Sequence, residues 1–294
     1  MHLNRISRRE VLGGGLALVA LTACGGSDAG GSASGDVAAD RLGVRFPDGF
    51  RAPSIAVTDA GPQRFPFVLV AEDGFPVIDN PPESIDIEVA FDGEPVDTFT
   101  VSARGVGQFT PYYPLEFTPE QAGRYTAAVG FSEFPVEFMV MDRSEVALFQ
   151  NGDPLPPFDT PTTANGHGVT TVCTRTEPCP FHEITLTDAL ASGKPTVLLI
   201  ATPEFCQTDV CGPSVEFLIE AAADRDDLNV IHAEVFADPR NPEPTAFPEL
   251  APLLTEWELA FEPSLFVADA SGTIVASRHF AMDRDEVAEA IAAV

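Results

Sequence analysis

Residues 196–225 read "TVLLIATPEFCQTDVCGPSVEFLIEAAADR", with two cysteines between an apolar run and a helical pattern. The run "TVLLIAT" is continuously apolar, which is typical of a strand covered on both faces. The stretch "SVEFLIEAAADR" has the apolar spacing of an amphipathic helix. This strand, loop and helix predict an α/β layer in which Cys206 and Cys211 lie in the connection.

The patterns continue on both sides of this stretch. "EITLTDALASG" predicts a short helix that ends at Gly193, and "DRDEVAEAIAAV" predicts a closing helix with a capping box of Asp283 and Glu286. Between them follow a strand "LNVIHAEVF", a helical "FPELAPLLTEWEL", and two strands, "PSLFVAD" and "TIVASRHF", joined by a tight turn. The predicted order from residue 196 is strand, helix, strand, helix, strand, strand, helix.

This order, with Cys206 after the first strand and Pro263 starting the third, resembles the thioredoxin fold. The stretch "LLTEWELAFEPSLFVADASGTIV" is similar to the TlpA/peroxiredoxin branch, because it contains that branch's Pro-x-x-Phe-x-x-Asp-x-x-Gly-x-Ile run. The resemblance implies a thioredoxin-like domain over residues 171–294. It also implies a cis Pro263 that faces the cysteines. The same alignment puts Ile200 where thioredoxins have a buried acid, so the resemblance implies that this chain lacks the proton acceptor at that position.

The chemistry of thiols suggests roles for the two cysteines. A thiolate is the nucleophile in disulfide exchange, and a helix N-terminus lowers a cysteine's pKa. We therefore expect Cys206, at the start of the helix, to attack and Cys211 to resolve. Five residues subtend about 140° on an ideal helix, so the pair can form a disulfide only if Cys206 lies at or before the N-cap or the first turn opens.

Three functions stay open from the sequence. The first is thiol–disulfide exchange on the thiols or disulfides of exported proteins. The second is peroxide reduction by the same pair, because "TPEFCQTDVC" is similar to the Thr-Pro-Gly-Cys-Thr-x-x-x-Cys run of bacterioferritin-comigratory peroxiredoxins. In that case Thr202 or Thr208 would supply the hydroxyl that orients the peroxide. The third is a non-catalytic or copper-binding lipoprotein with structural disulfides. Whether the protein is an enzyme is therefore left open, with exchange preferred.

A second cysteine pair lies in "CTRTEPCPFH", residues 173–182. The preferred interpretation is a local disulfide between Cys173 and Cys179. The alternatives are a thiol relay with the first pair, or a metal site of Cys173, Cys179 and His182, since Cys and His ligands suit Cu(I) or Zn. No other cofactor is expected, and His232, in a predicted buried strand, is interpreted as a core histidine.

Residues 44–142 have short alternating apolar segments separated by Pro and Gly, which predicts an all-β sandwich. The run "FTPEQAGRYTAAVGF" resembles the turn of immunoglobulin-like domains, in which Tyr125 is a corner tyrosine whose hydroxyl bonds to backbone. Residues 143–170 are rich in Pro, Gly and Thr and are interpreted as a linker.

The N-terminus carries a predicted export signal. "SRREVLGGGLALVALTAC" resembles a twin-arginine export signal, residues 1–23, followed by a lipobox whose Cys24 is lipidated. A Gly/Ser/Ala tether over residues 24–43 follows. These features predict a lipid anchor at the extracytoplasmic face of the cell membrane. The formal net charge of −29 argues against nucleic acid as a partner.

Overall fold

The computed structural model of the protein describes residues 39–206, 208–240, 248–259 and 261–294. The described residues form one compact unit. The predicted export signal, Cys24 and the tether up to residue 38 lie outside the described residues. Among the helices that are described, none is both long enough and apolar enough to cross a bilayer.

Two antiparallel sheets make up the N-terminal half. One has the order β1-β2-β5 and the other β4-β3-β6-β7. Alternating side chains of both sheets meet in one core, as in β3, where Ile85, Ile87 and Val89 point inward and polar residues point outward. The strands are β1 (Ala39–Val44), β2 (Gln63–Ala71), β3 (Ser84–Phe91), β4 (Glu94–Ser102), β5 (Tyr113–Phe117), β6 (Gly123–Ala128) and β7 (Val136–Val140). The predicted sandwich is therefore present.

The range predicted as a flexible tether is wrong at its C-terminal end. Residues Ala39–Val44 form β1, which pairs antiparallel with β2. Leu42 is buried in the sandwich core. Backbone pairing together with burial of this one leucine orders a segment whose composition alone indicates a linker.

The C-terminal half is a four-stranded sheet with helices on both faces. Its strands are β8 (Thr196–Ile200), β9 (Asn229–Ala233), β10 (Ser264–Ala268) and β11 (Ile274–His279). Their order is β11-β10-β8-β9, with β8 and β9 parallel and the other two pairs antiparallel. The helices are α1 (Leu186–Ala191), α2 (Cys211–Ala222), α3 (Pro252–Glu256) and α4 (Arg284–Ile291). This is the element order that the sequence predicted, and the domain has a thioredoxin-like fold.

Both faces of the central strand β8 are covered, which explains its continuous apolar run. Val197 and Leu199 lie in the core beneath α2 and α4, whereas Leu198 and Ile200 lie in the core beneath α1 and α3. The predicted capping box is also confirmed, because the Asp283 side chain accepts from the backbone of Glu286 and the Glu286 side chain accepts from that of Asp283.

The sandwich and the C-terminal layers share a buried contact. Val68, on the outer side of β2, packs with Tyr112 in the core beneath α2 and α4. Arg64 donates two hydrogen bonds of 2.9 Å to the carboxylate of Glu286 on α4. The predicted linker region also packs inward, since Leu148 and Leu155 are buried in the core beneath α1 and α3.

Candidate active site

Cys206, in the loop between β8 and α2, forms a disulfide with Cys211, the first residue of α2, with their Cα atoms 6.1 Å apart. The helix starts at Cys211, with Val210 as its N-cap, so Cys206 precedes the helix by five positions. The prediction that Cys206 lies at the start of the helix is therefore wrong. The condition for pairing is met, because Cys206 lies before the N-cap, where the loop can turn its sulfur toward Cys211.

The two sulfurs differ in accessibility. Cys206 is partly exposed, whereas Cys211 is fully buried in the core beneath α2 and α4. The Cys206 Sγ lies 3.2 Å from the hydroxyl of Thr208. An incoming reactant can therefore reach Cys206, while Cys211 is reached only through Cys206.

Glu262 lies against the buried sulfur. Its Oε2 is 3.3 Å from Cys211 Sγ and accepts a 2.9 Å hydrogen bond from the backbone N–H of Thr202. Antiparallel pairing of β10 with β8 sets Ser264 opposite Ile200, which brings the residues just before β10 beside those just after β8. The Glu262–Pro263 peptide bond is cis, as the resemblance implied.

Burial raises the pKa of Glu262 from 4.5 to about 7, and the nearby carboxyl of Glu234 adds to this increase. Burial also raises the pKa of Glu234 itself. A carboxyl that titrates near neutral pH beside a buried cysteine can accept and return its proton. The sequence contained a signal for this carboxyl. Glu262 precedes Pro263, at a position where thioredoxins usually carry a small or β-branched residue.

An apolar groove of about 440 Å³ opens beside Cys206. Its walls come from the loop that carries the cysteine, from the segment before and within α3, and from the segment before β10. Among the lining residues are Cys206, Thr208, Leu250, Leu254, Phe261 and Glu262. The groove therefore places apolar surface next to the exposed sulfur and the buried carboxyl.

The sandwich contacts the loop between the two cysteines. The Asp209 carboxylate accepts hydrogen bonds from the backbone N–H and the hydroxyl of Thr110, at 2.7 and 2.5 Å, and from Arg45 at 2.7 Å. Burial alone raises the pKa of Asp209, but these hydrogen bonds outweigh burial and lower it overall. The sequence did not indicate this contact, because the three residues are far apart along the chain.

The second cysteine pair is not a disulfide in this structure. The sulfurs of Cys173 and Cys179 are 3.9 Å apart and both residues are buried and free, so the preferred prediction of a local disulfide is wrong. His182 lies beside Cys179, as the metal alternative requires. His232, which was interpreted only as a core histidine, joins the same cluster from β9. A histidine in an otherwise apolar strand was the only available signal.

His279 does not take part in the candidate site. Its ring packs against Phe261, Phe266 and Phe280. Burial, together with Arg64 and Arg278, lowers its pKa to about 3, so the ring is neutral at physiological pH.

Comparisons with known proteins gave a match only among solved structures. No family model and no curated protein matches the chain. The structure of MTB dsbF in mixed oxidised and reduced forms is 20% identical, covers 38% of this chain and 87% of its own, and has a TM-score of 0.30. A thiol:disulfide interchange protein of the thioredoxin family from Chlorobium tepidum is 14% identical and has a TM-score of 0.31. The match covers 49% of this chain and 97% of that protein's chain.

StoA from Bacillus subtilis is 16% identical, covers 47% of this chain and 98% of its own, and has a TM-score of 0.28. The coverages show that each of these proteins matches half of this chain or less. The thioredoxin-like fold of the C-terminal half is identified by its own strand order and by the disulfide at the start of α2.

Proposed function

We propose that this protein is a thiol–disulfide oxidoreductase that exchanges disulfides with exported polypeptides. The observation that carries the proposal is the disulfide between an accessible Cys206 and a buried Cys211, with the carboxyl of Glu262 3.3 Å from the buried sulfur. A cysteine pair that only cross-links the loop has no need of a buried acid with a pKa near neutrality beside it.

In the reducing direction, the Cys206 thiolate attacks one sulfur of a substrate disulfide. A bond forms between Cys206 Sγ and that sulfur, the substrate disulfide breaks, and the other substrate sulfur leaves as a thiolate that takes a proton from solvent. The product of this step is a mixed disulfide. Cys206 takes this role because it is the accessible sulfur.

Cys211 then resolves the mixed disulfide. Glu262 accepts the proton of the Cys211 thiol, and the resulting thiolate attacks Cys206 Sγ. The Cys206–Cys211 bond forms, and the second substrate sulfur leaves and is protonated. The two electrons that reduce the substrate come from the two protein thiols, and the reverse sequence oxidises a substrate dithiol.

The apolar groove beside Cys206 supports a polypeptide as the substrate. Leu250, Leu254 and Phe261 line it, and apolar side chains next to a substrate cysteine would be buried there. Two variants test the proposal. Cys206→Ser should abolish reduction of a disulfide-bonded test polypeptide, whereas Cys211→Ser should accumulate a mixed disulfide detectable by mass spectrometry. Equal activity of the wild type and Cys206→Ser would refute the proposal.

Peroxide reduction is a second candidate because the Thr208 hydroxyl lies 3.2 Å from Cys206 Sγ, where it can hydrogen-bond a peroxide oxygen. In that case peroxide would convert Cys206 to a sulfenic acid, with release of water, and Cys211 would condense with it to the disulfide and release a second water. Peroxide consumption faster than that of a free thiol, abolished by Thr208→Val, would favour this candidate. Consumption at the rate of a free thiol would exclude it.

We also infer that the protein is exported and anchored by lipid on Cys24, since its N-terminus combines twin arginines with a lipobox. This would place the cysteines in an oxidising compartment, where exchange on exported proteins is needed. Mass spectrometry of the protein from membranes should detect an acylated N-terminal peptide that begins at Cys24. An unmodified N-terminus at another residue would remove the anchor.

We further propose that the sandwich is immunoglobulin-like. Its two sheets have the orders β1-β2-β5 and β4-β3-β6-β7, and the Tyr125 hydroxyl donates a 3.0 Å hydrogen bond to the carbonyl of Gln121. A tyrosine that bonds to backbone a few residues upstream is the corner arrangement of such domains. An experimental structure with a different strand order would overturn this assignment.

A further inference from the structure

Four buried side chains converge on one point beside β9. They are Cys173 and Cys179 of the segment before α1, His182 at the end of that segment, and His232 on β9. One ligand atom of each, sulfur or ring nitrogen, lies within 4.8 Å of all the others. The side chains are between 0 and 6% exposed.

The separations between these atoms match the edges of a tetrahedral metal site. Bonds of about 2.3 Å to sulfur and about 2.0 Å to nitrogen place two sulfurs about 3.8 Å apart, and a sulfur and a nitrogen about 3.5 Å apart. The observed S···S separation is 3.9 Å. Three of the four S···N separations are 3.2 Å from Cys179 Sγ to His182 Nε2, and 3.4 and 3.9 Å from Cys179 and Cys173 Sγ to His232 Nδ1, and the fourth is within 4.8 Å. A disulfide would instead require about 2.05 Å between the sulfurs.

The orientation of His232 suits a metal ligand. Its Nε2 lies 3.0 Å from the carbonyl oxygen of Ala201, which accepts only if Nε2 carries the proton. That tautomer leaves a lone pair on Nδ1, the nitrogen that faces the two sulfurs. His182 presents its Nε2 to the Cys179 sulfur at 3.2 Å, while its other ring nitrogen, Nδ1, has no hydrogen-bond partner in the described part of the chain.

We propose that Cys173, Cys179, His182 and His232 bind one Zn²⁺ ion in a closed structural site. The two thiols lose their protons to solvent as the ion binds, so the dication and two thiolates are neutral together. Neutrality matters because the site is buried, and burying a net charge is costly. Cu⁺ with the same two thiolates would leave a net negative charge. Two cysteines and two histidines with no open position are a ligand set of structural zinc.

The ion would fasten the segment before α1 to an edge strand of the sheet. β9 is the outer strand of the order β11-β10-β8-β9, and the His232 backbone N–H donates to the carbonyl of Phe181 in this segment. Thr174, next to Cys173, accepts a hydrogen bond from the backbone of Glu204, two residues before Cys206. The zinc site would thus also support the loop that carries the redox cysteine. The proposal goes beyond thiol–disulfide exchange and stands without it.

The first test is the metal content of the full chain after refolding with Zn²⁺ and dialysis against metal-free buffer. We expect one zinc per chain, and no bound zinc in Cys173→Ser or His232→Ala. His167→Asn changes a histidine outside the cluster and should keep the ion, as should Cys206→Ser. Absence of zinc in the wild type, or equal zinc in all variants, would overturn the proposal.

A spectroscopic test needs no variant and is unaffected if a ligand substitution prevents folding. The full chain loaded with Co²⁺ should show the intense visible bands of tetrahedral cobalt and a thiolate charge-transfer band, both of which Zn²⁺ should displace. Weak octahedral bands, binding of Cu⁺ with no affinity for Zn²⁺, or a Cys173–Cys179 disulfide that persists in the zinc-treated protein would each overturn it.

Discussion

Asp209, which lies between the two cysteines of the disulfide, accepts two hydrogen bonds from Thr110 of the sandwich. The N-terminal half therefore holds the loop between the two cysteines in place, and Arg45 adds an ion pair of 2.7 Å to the same carboxylate. The sandwich is thus part of the candidate site's support.

Asp209→Ala should destabilise the protein by about 1.5–3 kcal/mol, the usual range for hydrogen bonds to a charged group. The measurement is urea unfolding at neutral pH. Because the hydrogen bonds lower the pKa of Asp209 below 3.8, the carboxylate stabilises the fold above that pH. The difference between variant and wild type should shrink as the pH falls below 3.8 and Asp209 becomes protonated. A difference that persists in acid would contradict this explanation.

Glu262→Gln should slow the resolving step by about 10²-fold, because the amide cannot accept the proton of Cys211. The wild-type rate should rise with pH through about 7, the pKa of Glu262, and the variant should lack this rise. Stopped-flow measurement of mixed-disulfide decay between about pH 6 and 8 checks both. The matched control is Glu256→Gln, which changes an exposed carboxylate at the end of α3. An unchanged pH profile in Glu262→Gln would exclude the carboxyl as the base.

The raised pKa of Glu262 also predicts how stability depends on pH. The folded protein binds this proton more tightly than the unfolded chain, with a pKa of about 7 against 4.5. The contribution of this tighter proton binding to the free energy of unfolding is fully present below pH 4.5 and is lost as the pH rises through about 7. The free energy of unfolding therefore falls over this window. The upper limit of the loss is about 3 kcal/mol. Thermal unfolding across this window should show the loss in the wild type, and an equal loss in Glu262→Gln would assign it to another group.

Cys206 should be alkylated before Cys211 in the reduced protein, because it is the partly exposed sulfur and Cys211 is fully buried. Peptide mass spectrometry after a short pulse of iodoacetamide measures the order. Faster labelling of Cys211 would show that its position at the helix N-terminus outweighs its burial, and would reverse the proposed roles.

Arg64→Ala should destabilise the protein by about 3–5 kcal/mol, because it leaves the nearly buried carboxylate of Glu286 without its cation. Arg124→Ala is the matched control, since that arginine is 53% exposed in its ion pairs and its loss should cost less than about 1 kcal/mol. Denaturant unfolding should remain one transition in both variants, as a shared core implies. Two separate transitions in the wild type would show that the halves unfold independently.

The sequence alone predicted the order of strands and helices in the C-terminal half and the sandwich before it. These patterns are local, since the periodicity of apolar residues reflects which faces of a strand or helix are covered. The continuous apolar run of β8 and the capping box at Asp283 are examples. The start of α2 was misplaced because the residue before Cys211, the N-cap Val210, has no side chain that can cap a helix.

Only the tertiary structure decided what surrounds the cysteines. Glu262 is more than fifty residues from Cys211 along the chain, yet the antiparallel register of β10 against β8 brings its carboxylate to within 3.3 Å of that sulfur. In the same way, the parallel pairing of β8 with β9 positions His232 beside Cys173 and Cys179. Contacts of this kind depend on strand pairing and on burial between distant segments, and burial sets the pKa of Glu262. The sequence thus determined which chemical groups exist, whereas packing determined which of them can react together.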